Sequence, residues 1–116
     1  MGALVEGFET ARKEHDERLA ERHRKEETVD QQLGALGRLL DQDADFMGKH
    51  DVGHETVNRI LHVNHHRAPI VAIHYEPGEN QFRLTYMRDN TSASVASAEE
   101  CAKAVGALLF GLVTRD

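Results

Sequence analysis

The sequence is poor in residues that carry covalent or stacking chemistry. It has one cysteine, Cys101, no tryptophan, and aromatic residues at only 5% of its positions. A single cysteine excludes a disulfide within the chain, and disulfides mark oxidising compartments, so we expect a cytoplasmic protein. The few aromatic rings leave little material for the stacking platforms that bind single-stranded nucleic acids.

Long apolar runs and excess basic charge are also missing. The longest apolar run, from Ala104 to Val113, is too short to span a bilayer and is interrupted by Gly106 and Gly111. The opening residues lack the basic region and apolar core of a secretory signal peptide. A formal net charge of −6 disfavours attraction to nucleic acid phosphates and to anionic lipids. We therefore expect neither a nucleic acid nor a membrane as a partner.

Sequence motifs of enzymes are absent as well. The chain contains no GxxxxGKS/T or GxGxxG phosphate-binding loop and no HExxH zinc motif. Cys101 lies on the apolar stripe of a predicted helix, which favours a buried small hydrophobic residue over a nucleophile. An enzyme that pairs a histidine with Asp51 or Glu55 is a weaker hypothesis. We interpret the chain as non-enzymatic, with no catalytic and no cofactor-binding residue.

Residues 1–48 are predicted to form an amphipathic helical segment. From Phe8 to Thr28 the sequence has no glycine or proline, and opposite charges recur four residues apart, as in Glu21 and Lys25. A heptad frame over the segment selects apolar residues at both ends and mostly polar residues between them. The apolar members of this frame are Val5, Phe8, Leu19, Val29, Leu33, Leu36 and Leu40.

Two arrangements of this segment are consistent with the pattern. A continuous helix over about residues 3–46 would be roughly 65 Å long, too long for a small core to cover. It would pack against another helix, most economically a second copy of itself. In the alternative, the chain turns between Thr28 and Gln32 and forms a helical hairpin whose apolar ends bury each other. Gly34 and Gly37 weaken the second helix of that hairpin.

Residues 49–116 are predicted to form a small α+β head. A short helix is expected from an N-cap at Asp51 to about His66, because Pro69 prevents its continuation. Alternating apolar and polar residues over 68–77 and 81–89 predict an antiparallel β-hairpin whose turn contains proline and glycine. Residues 91–96 add a weak third strand to this meander.

The last predicted helix runs from Ser97 to about Val113 and packs on the sheet. Ser97 and Glu100 have the spacing of a capping box. The helix is apolar nearly all round, so more than one of its sides must be buried. A head of about 65 residues has only a marginally stable hydrophobic core by itself. A second protomer is therefore expected to cover this helix. The predicted contacts are Leu108, Leu109 and Leu112.

Histidines are concentrated in the head, where six of the eight lie between positions 50 and 74. On the predicted short helix, His62 and His66 stand one turn apart, close enough to share a divalent transition metal ion. A zinc ion needs a third or fourth ligand, from His74, an acidic residue or a partner chain. In the alternative, the histidines are solvated, lie at an interface, or form hydrogen bonds at the core edge.

Two functions are consistent with these features. The first is a non-enzymatic interaction or assembly module that self-associates, most simply as a dimer, through the N-terminal helix and the C-terminal helix. Another protein is a further possible partner for the same surfaces. The alternative is a histidine-rich metal-binding or metal-responsive protein that uses His62, His66 and His74.

Overall fold

The computed structural model describes residues 2–114 and has the predicted α+β architecture. A long helix, a short helix, five strands and a C-terminal helix follow one another along the chain. Their bounds are α1 (Ala3–Asp41), α2 (Ala44–Lys49), β1 (Val52–Val57), β2 (Ile60–His65), β3 (Ala68–Glu76), β4 (Gln81–Tyr86), β5 (Ser92–Val95) and α3 (Ala98–Thr114). The strands form one antiparallel sheet in the order β1-β2-β3-β4-β5.

The helix α1 is continuous, so the helical hairpin is wrong and the long helix is confirmed. It ends at Asp41, a few residues earlier than expected. Residues 2–25 are all exposed, whereas Leu33, Leu36 and Leu40 are buried. Residues 3–25, here called the rod, therefore project from the rest of the molecule. With the rod included, the structure measures 75 × 27 × 24 Å.

Residues 51–66 form the β1–β2 hairpin, so the short helix predicted there is wrong. The short helix of the structure, α2, precedes this hairpin. Asn58 and Arg59 at the hairpin turn have φ angles of 52° and 60°. A two-residue type I′ turn needs positive φ at both positions, which asparagine adopts readily. The β-branched residues Val52, Thr56 and Val57 in β1 favour a strand over a helix.

The remaining predicted elements of the head are confirmed. The strands β3 and β4 form the expected hairpin, with Tyr75 paired to Phe82. The expected third strand is β5, which pairs with β4. The Ser97 half of the capping box forms, because the Glu100 N–H donates to Ser97 Oγ at 3.1 Å. The Glu100 carboxylate accepts at 3.2 Å from the N–H of Ala96, one residue before the expected Ser97 N–H.

The core lies between one face of the sheet and the two long helices. The second half of α1 and the inner face of α3 both contact the apolar side of the sheet, and the two helices contact each other. Fully buried side chains come from all three layers. They include Leu36, Leu61, Val63, Val71, Ile73, Phe82, Leu84 and Cys101. Within residues 2–114, no helix is long and apolar enough to cross a membrane.

Candidate functional site

The residues predicted to contact a second protomer fall into three groups. Leu33, Leu36, Leu40 and Leu109 are buried in the core of the single chain. The remaining members of the prediction are half-buried or exposed. Val29, Leu108 and Leu112 are half-buried, and Val5, Phe8 and Leu19 are exposed. The first group stabilises the chain's own fold, so only the other two groups have apolar surface to offer a partner.

The first exposed apolar surface is the beginning of the rod. Leu4 is 86% exposed, Phe8 is 65% exposed and Val5 is 44% exposed. Leu4 and Phe8 are four residues apart on one helix, so their side chains lie on the same face. We call Leu4, Val5 and Phe8 the tip. The heptad frame missed Leu4 because it lies one position outside the frame.

The second apolar surface is a groove beside α3, with a volume of about 870 Å³. One wall is the second half of α3, where Ala104, Ala107 and Gly111 leave space because their side chains are small. The opposite wall comes from the start of β3, the end of β4 and the turn after it. We call this surface the α3 groove, and its lining is Pro69, Ile70, Tyr86, Met87, Arg88, Asp89, Thr91, Ala104, Ala107, Leu108, Gly111 and Leu112.

The α3 groove contains two predicted contact residues, Leu108 and Leu112, beside others that sequence reasoning missed. Ile70 and Met87 belong to different strands or turns, and only the tertiary fold brings them next to α3. Elsewhere on the same helix, Phe110 is 72% exposed and Val113 is 41% exposed. A single chain therefore leaves part of its apolar C-terminal helix uncovered.

The candidate metal ligands do not form a cluster. His62 and His74 alternate with buried residues of β2 and β3, so both lie on the sheet face opposite the core. His66 lies in the turn after β2, and a rise of about 3.3 Å per residue separates it from His62 by roughly 13 Å along the strand. The predicted helical spacing of these two histidines is therefore wrong. Over residues 2–114, no group of three or more His, Cys, Asp or Glu side chains is placed to hold a metal ion.

His54 has a structural position that the sequence did not reveal. Its Nε2 donates a hydrogen bond to Asp41 Oδ1 at 2.7 Å, and its side chain is 19% exposed. A Cβ atom at Gly37 would lie 3.4 Å from Cε1 of His54, which places the imidazole directly against this turn of α1. This contact attaches the edge strand β1 to the end of α1.

Arg59 attaches the β1–β2 turn to α1 at the point where the rod leaves the head. Its Nε lies 3.2 Å from Asp30 Oδ1, and its Nη2 lies 3.5 Å from Glu26 Oε2. All three side chains are partly exposed, so each ion pair contributes little to stability. These ion pairs show that the rod projects from the end of the sheet that carries the β1–β2 turn.

Cys101 is fully buried in α3, as its position on the apolar stripe predicted. Burial raises the pKa of its thiol from 9.0 to about 12. The thiol is consequently protonated at neutral pH, and a protonated thiol is a poor nucleophile.

Comparisons of the chain with models of protein families, with curated proteins and with solved structures gave no match.

Proposed function

We propose that this protein is a non-enzymatic self-association module that assembles through the apolar surfaces of α1 and α3. The observation that carries the proposal is the tip, where Leu4 and Phe8 stand in solvent at the end of a charged rod. Scattered apolar residues are common on protein surfaces, but a paired set on one helix face is typical of a docking element. The partner is a second copy of the chain, and the smallest assembly is a dimer.

The energetics of the tip indicate that it needs a second apolar surface as its partner. Burying one large apolar side chain contributes about 1.5–3 kcal/mol, so Leu4 and Phe8 together contribute about 3–6 kcal/mol. A micromolar complex requires about 8 kcal/mol after the entropic cost of association. The tip falls short of that value by itself. The α3 groove is a second large apolar surface that this chain offers.

Sedimentation equilibrium over a range of concentrations tests the proposal. We expect the average mass of the wild type to rise above one chain by about 100 μM, where a micromolar interface is largely saturated. The double variant Leu4→Glu/Phe8→Glu should show a much smaller rise, because it puts charges on the tip. Thr10→Glu is the matched control, since it adds a negative charge to the same exposed helix without removing apolar surface. A wild type that stays a single chain throughout would contradict the proposal.

A metal-binding function is the alternative, and the observation in its favour is that His62 and His74 share one sheet face. His74 Nδ1 is buried and has no hydrogen-bond partner among residues 2–114, so one ring nitrogen is available there. Two histidines are too few for a zinc site, and further ligands would come from a second molecule. Metal analysis of untagged protein tests this function, with the His62→Ala/His74→Ala variant as control. Less than about a tenth of an equivalent of zinc, nickel or copper would contradict it.

A further inference from the structure

We propose that the chain assembles head to tail, with the tip of one copy docked as a helix in the α3 groove of the next copy. This inference rests on the proposed self-association and specifies which two surfaces meet. Four observations carry it: the position of the rod, the position of the groove, the distance between them within one chain, and their complementary chemistry.

The rod leaves the head at the end of the sheet that carries the β1–β2 turn. Arg59 in that turn forms ion pairs with Glu26 and Asp30 of α1, just after the last residues of the rod. From there the rod continues away from the sheet, since residues 2–25 are exposed throughout. The tip is consequently the most distant part of the molecule from the sheet.

The α3 groove lies at the opposite end of the sheet. The strand β2 runs from Ile60, beside the β1–β2 turn, to His65, which pairs with Ala68 at the start of β3. Five residue steps at about 3.3 Å make this distance roughly 17 Å. Pro69 and Tyr86, which line the groove, lie at this second end, because Tyr86 ends β4 and pairs with Val71.

The tip cannot reach the groove of its own chain. Leu33 anchors α1 in the core, and Phe8 precedes it by 25 residues, which is about 38 Å along a helix. The helix extends in the direction away from the groove, so docking within one chain would require α1 to break. The contact therefore forms between copies.

The tip and the groove have complementary chemistry. Leu4 and Phe8 have the i and i+4 spacing of the side chains by which an amphipathic helix anchors in an apolar groove. Small residues along α3 leave the required space, and a volume near 870 Å³ lies within the range of ligand-sized sites. The groove therefore has both the shape and the apolar lining for one or two helical turns.

The rim of the groove carries a charge opposite to that of the side chains next to the tip. Over residues 2–11 the charged side chains are Glu6 and Glu9, and Glu9 lies 3.9 Å from Arg12. Glu6 is therefore the carboxylate beside the tip that has no ion pair within residues 2–114. The groove carries Arg88, which forms no ion pair with any residue in the range 2–114. The Asp89 carboxylate beside it already accepts hydrogen bonds from the backbone N–H and Oγ1 of Thr91. The Glu6 carboxylate therefore meets an available cation at this rim.

Head-to-tail docking predicts open assembly. The two surfaces differ and lie at opposite ends of an elongated molecule, so a copy that has docked its tip still has a free groove. Heterologous contacts of this kind continue into chains unless the rotation closes a ring. The wild-type mass should therefore rise beyond two chains as the concentration increases, unless two antiparallel copies close a dimer in which each docks its tip in the groove of the other.

Complementation between two variants tests the inference. The tip variant is Leu4→Glu/Phe8→Glu, and the groove variant is Met87→Glu/Ala107→Glu. All four substituted residues are exposed, so both variants should have the circular dichroism spectrum of the wild type. Each variant alone should lose assembly by about tenfold or more in Kd. An equimolar mixture should form a one-to-one dimer that does not grow, because one variant retains the groove and the other retains the tip.

Two control variants distinguish this contact from other modes of self-association. Leu19→Glu alters the shaft of the rod, and Phe110→Glu alters exposed α3 surface outside the groove. Both should assemble as the wild type does. If a control abolishes assembly while the groove variant does not, the head-to-tail contact is wrong and self-association survives. A monomeric wild type would overturn both, and a mixture of the two variants that stays monomeric would overturn the head-to-tail contact alone.

Discussion

The two halves of α1 are parts of one helix with different sources of stability. The rod, residues 3–25, is exposed and held by local interactions such as the Glu21–Lys25 ion pair at 3.7 Å. The second half packs Leu33, Leu36 and Leu40 into the core. Isolated helices are marginal in water, and each exposed ion pair adds only about 0.3–0.5 kcal/mol. Continuous helical structure therefore does not imply a uniform role, since the second half of α1 specifies the fold and the rod is available for contacts.

The largest expected contrast is between leucines of the two halves. Leu36→Ala should lower the free energy of unfolding by about 2–5 kcal/mol, because it opens a cavity at a fully buried position. Leu19→Ala in the rod should change it by less than about 0.5 kcal/mol. Urea denaturation at low protein concentration measures both. Equal effects of the two substitutions would show that the rod also belongs to the cooperative core.

Proline substitutions extend the contrast to the backbone. A proline inside a helix costs about 3 kcal/mol through a lost hydrogen bond and a steric clash. Ala35→Pro, in the packed half of α1, should lower the free energy of global unfolding by about this amount. Ala20→Pro should instead reduce the helical circular dichroism signal while leaving the urea midpoint of the head nearly unchanged. A large shift of the midpoint by Ala20→Pro would contradict the independence of the rod.

The buried thiol of Cys101 should make the free energy of unfolding depend on pH, an effect that the exposed rod cannot produce. Burial raises its folded-state pKa from 9.0 to about 12, so the protonated thiol is favoured in the folded state. This contribution to stability is complete below pH 9 and is lost as the pH rises from 9 towards 12. Between pH 8 and 10 the loss is about 1 kcal/mol. Urea denaturation should show this slope in the wild type, and a Cys101→Ala variant with the same slope would contradict the assignment.

The smallest expected effect compares two histidine–aspartate pairs. His54→Ala should cost about 1 kcal/mol, because His54 is mostly buried against α1 and donates to Asp41. The pair of His66 and Asp51 is exposed, with its atoms 3.2 Å apart, so His66→Ala should have no measurable effect. Thermal unfolding of the two variants at neutral pH makes the comparison. A larger loss from His66→Ala would indicate that the β2–β3 turn supports the fold.

Local signals in the sequence were sufficient for part of this structure. Opposite charges at four-residue spacing indicated the rod, alternation indicated β3 and β4, and Ser97 with Glu100 indicated the start of α3. Each signal depends on neighbours within a few residues, so it operates before the chain has folded. The class of the fold and its element types outside residues 51–66 followed from such signals.

The other features of the fold depend on packing between segments that are distant in the sequence. Residues 51–66 have no glycine at their turn, and the alternation of Leu61 and Val63 with His62 and Asn64 is too short to separate a strand from a helix. Pairing of β2 with β3 settles the choice, because β3 supplies the hydrogen-bond partners of β2. The apolar stripe of α1 identified Leu33 and Leu36 as buried, but a stripe does not specify whether the covering surface belongs to the same chain. The groove walls come from segments far apart in the chain. Periodicity records which side of an element avoids water, and only the packed fold determines what covers that side.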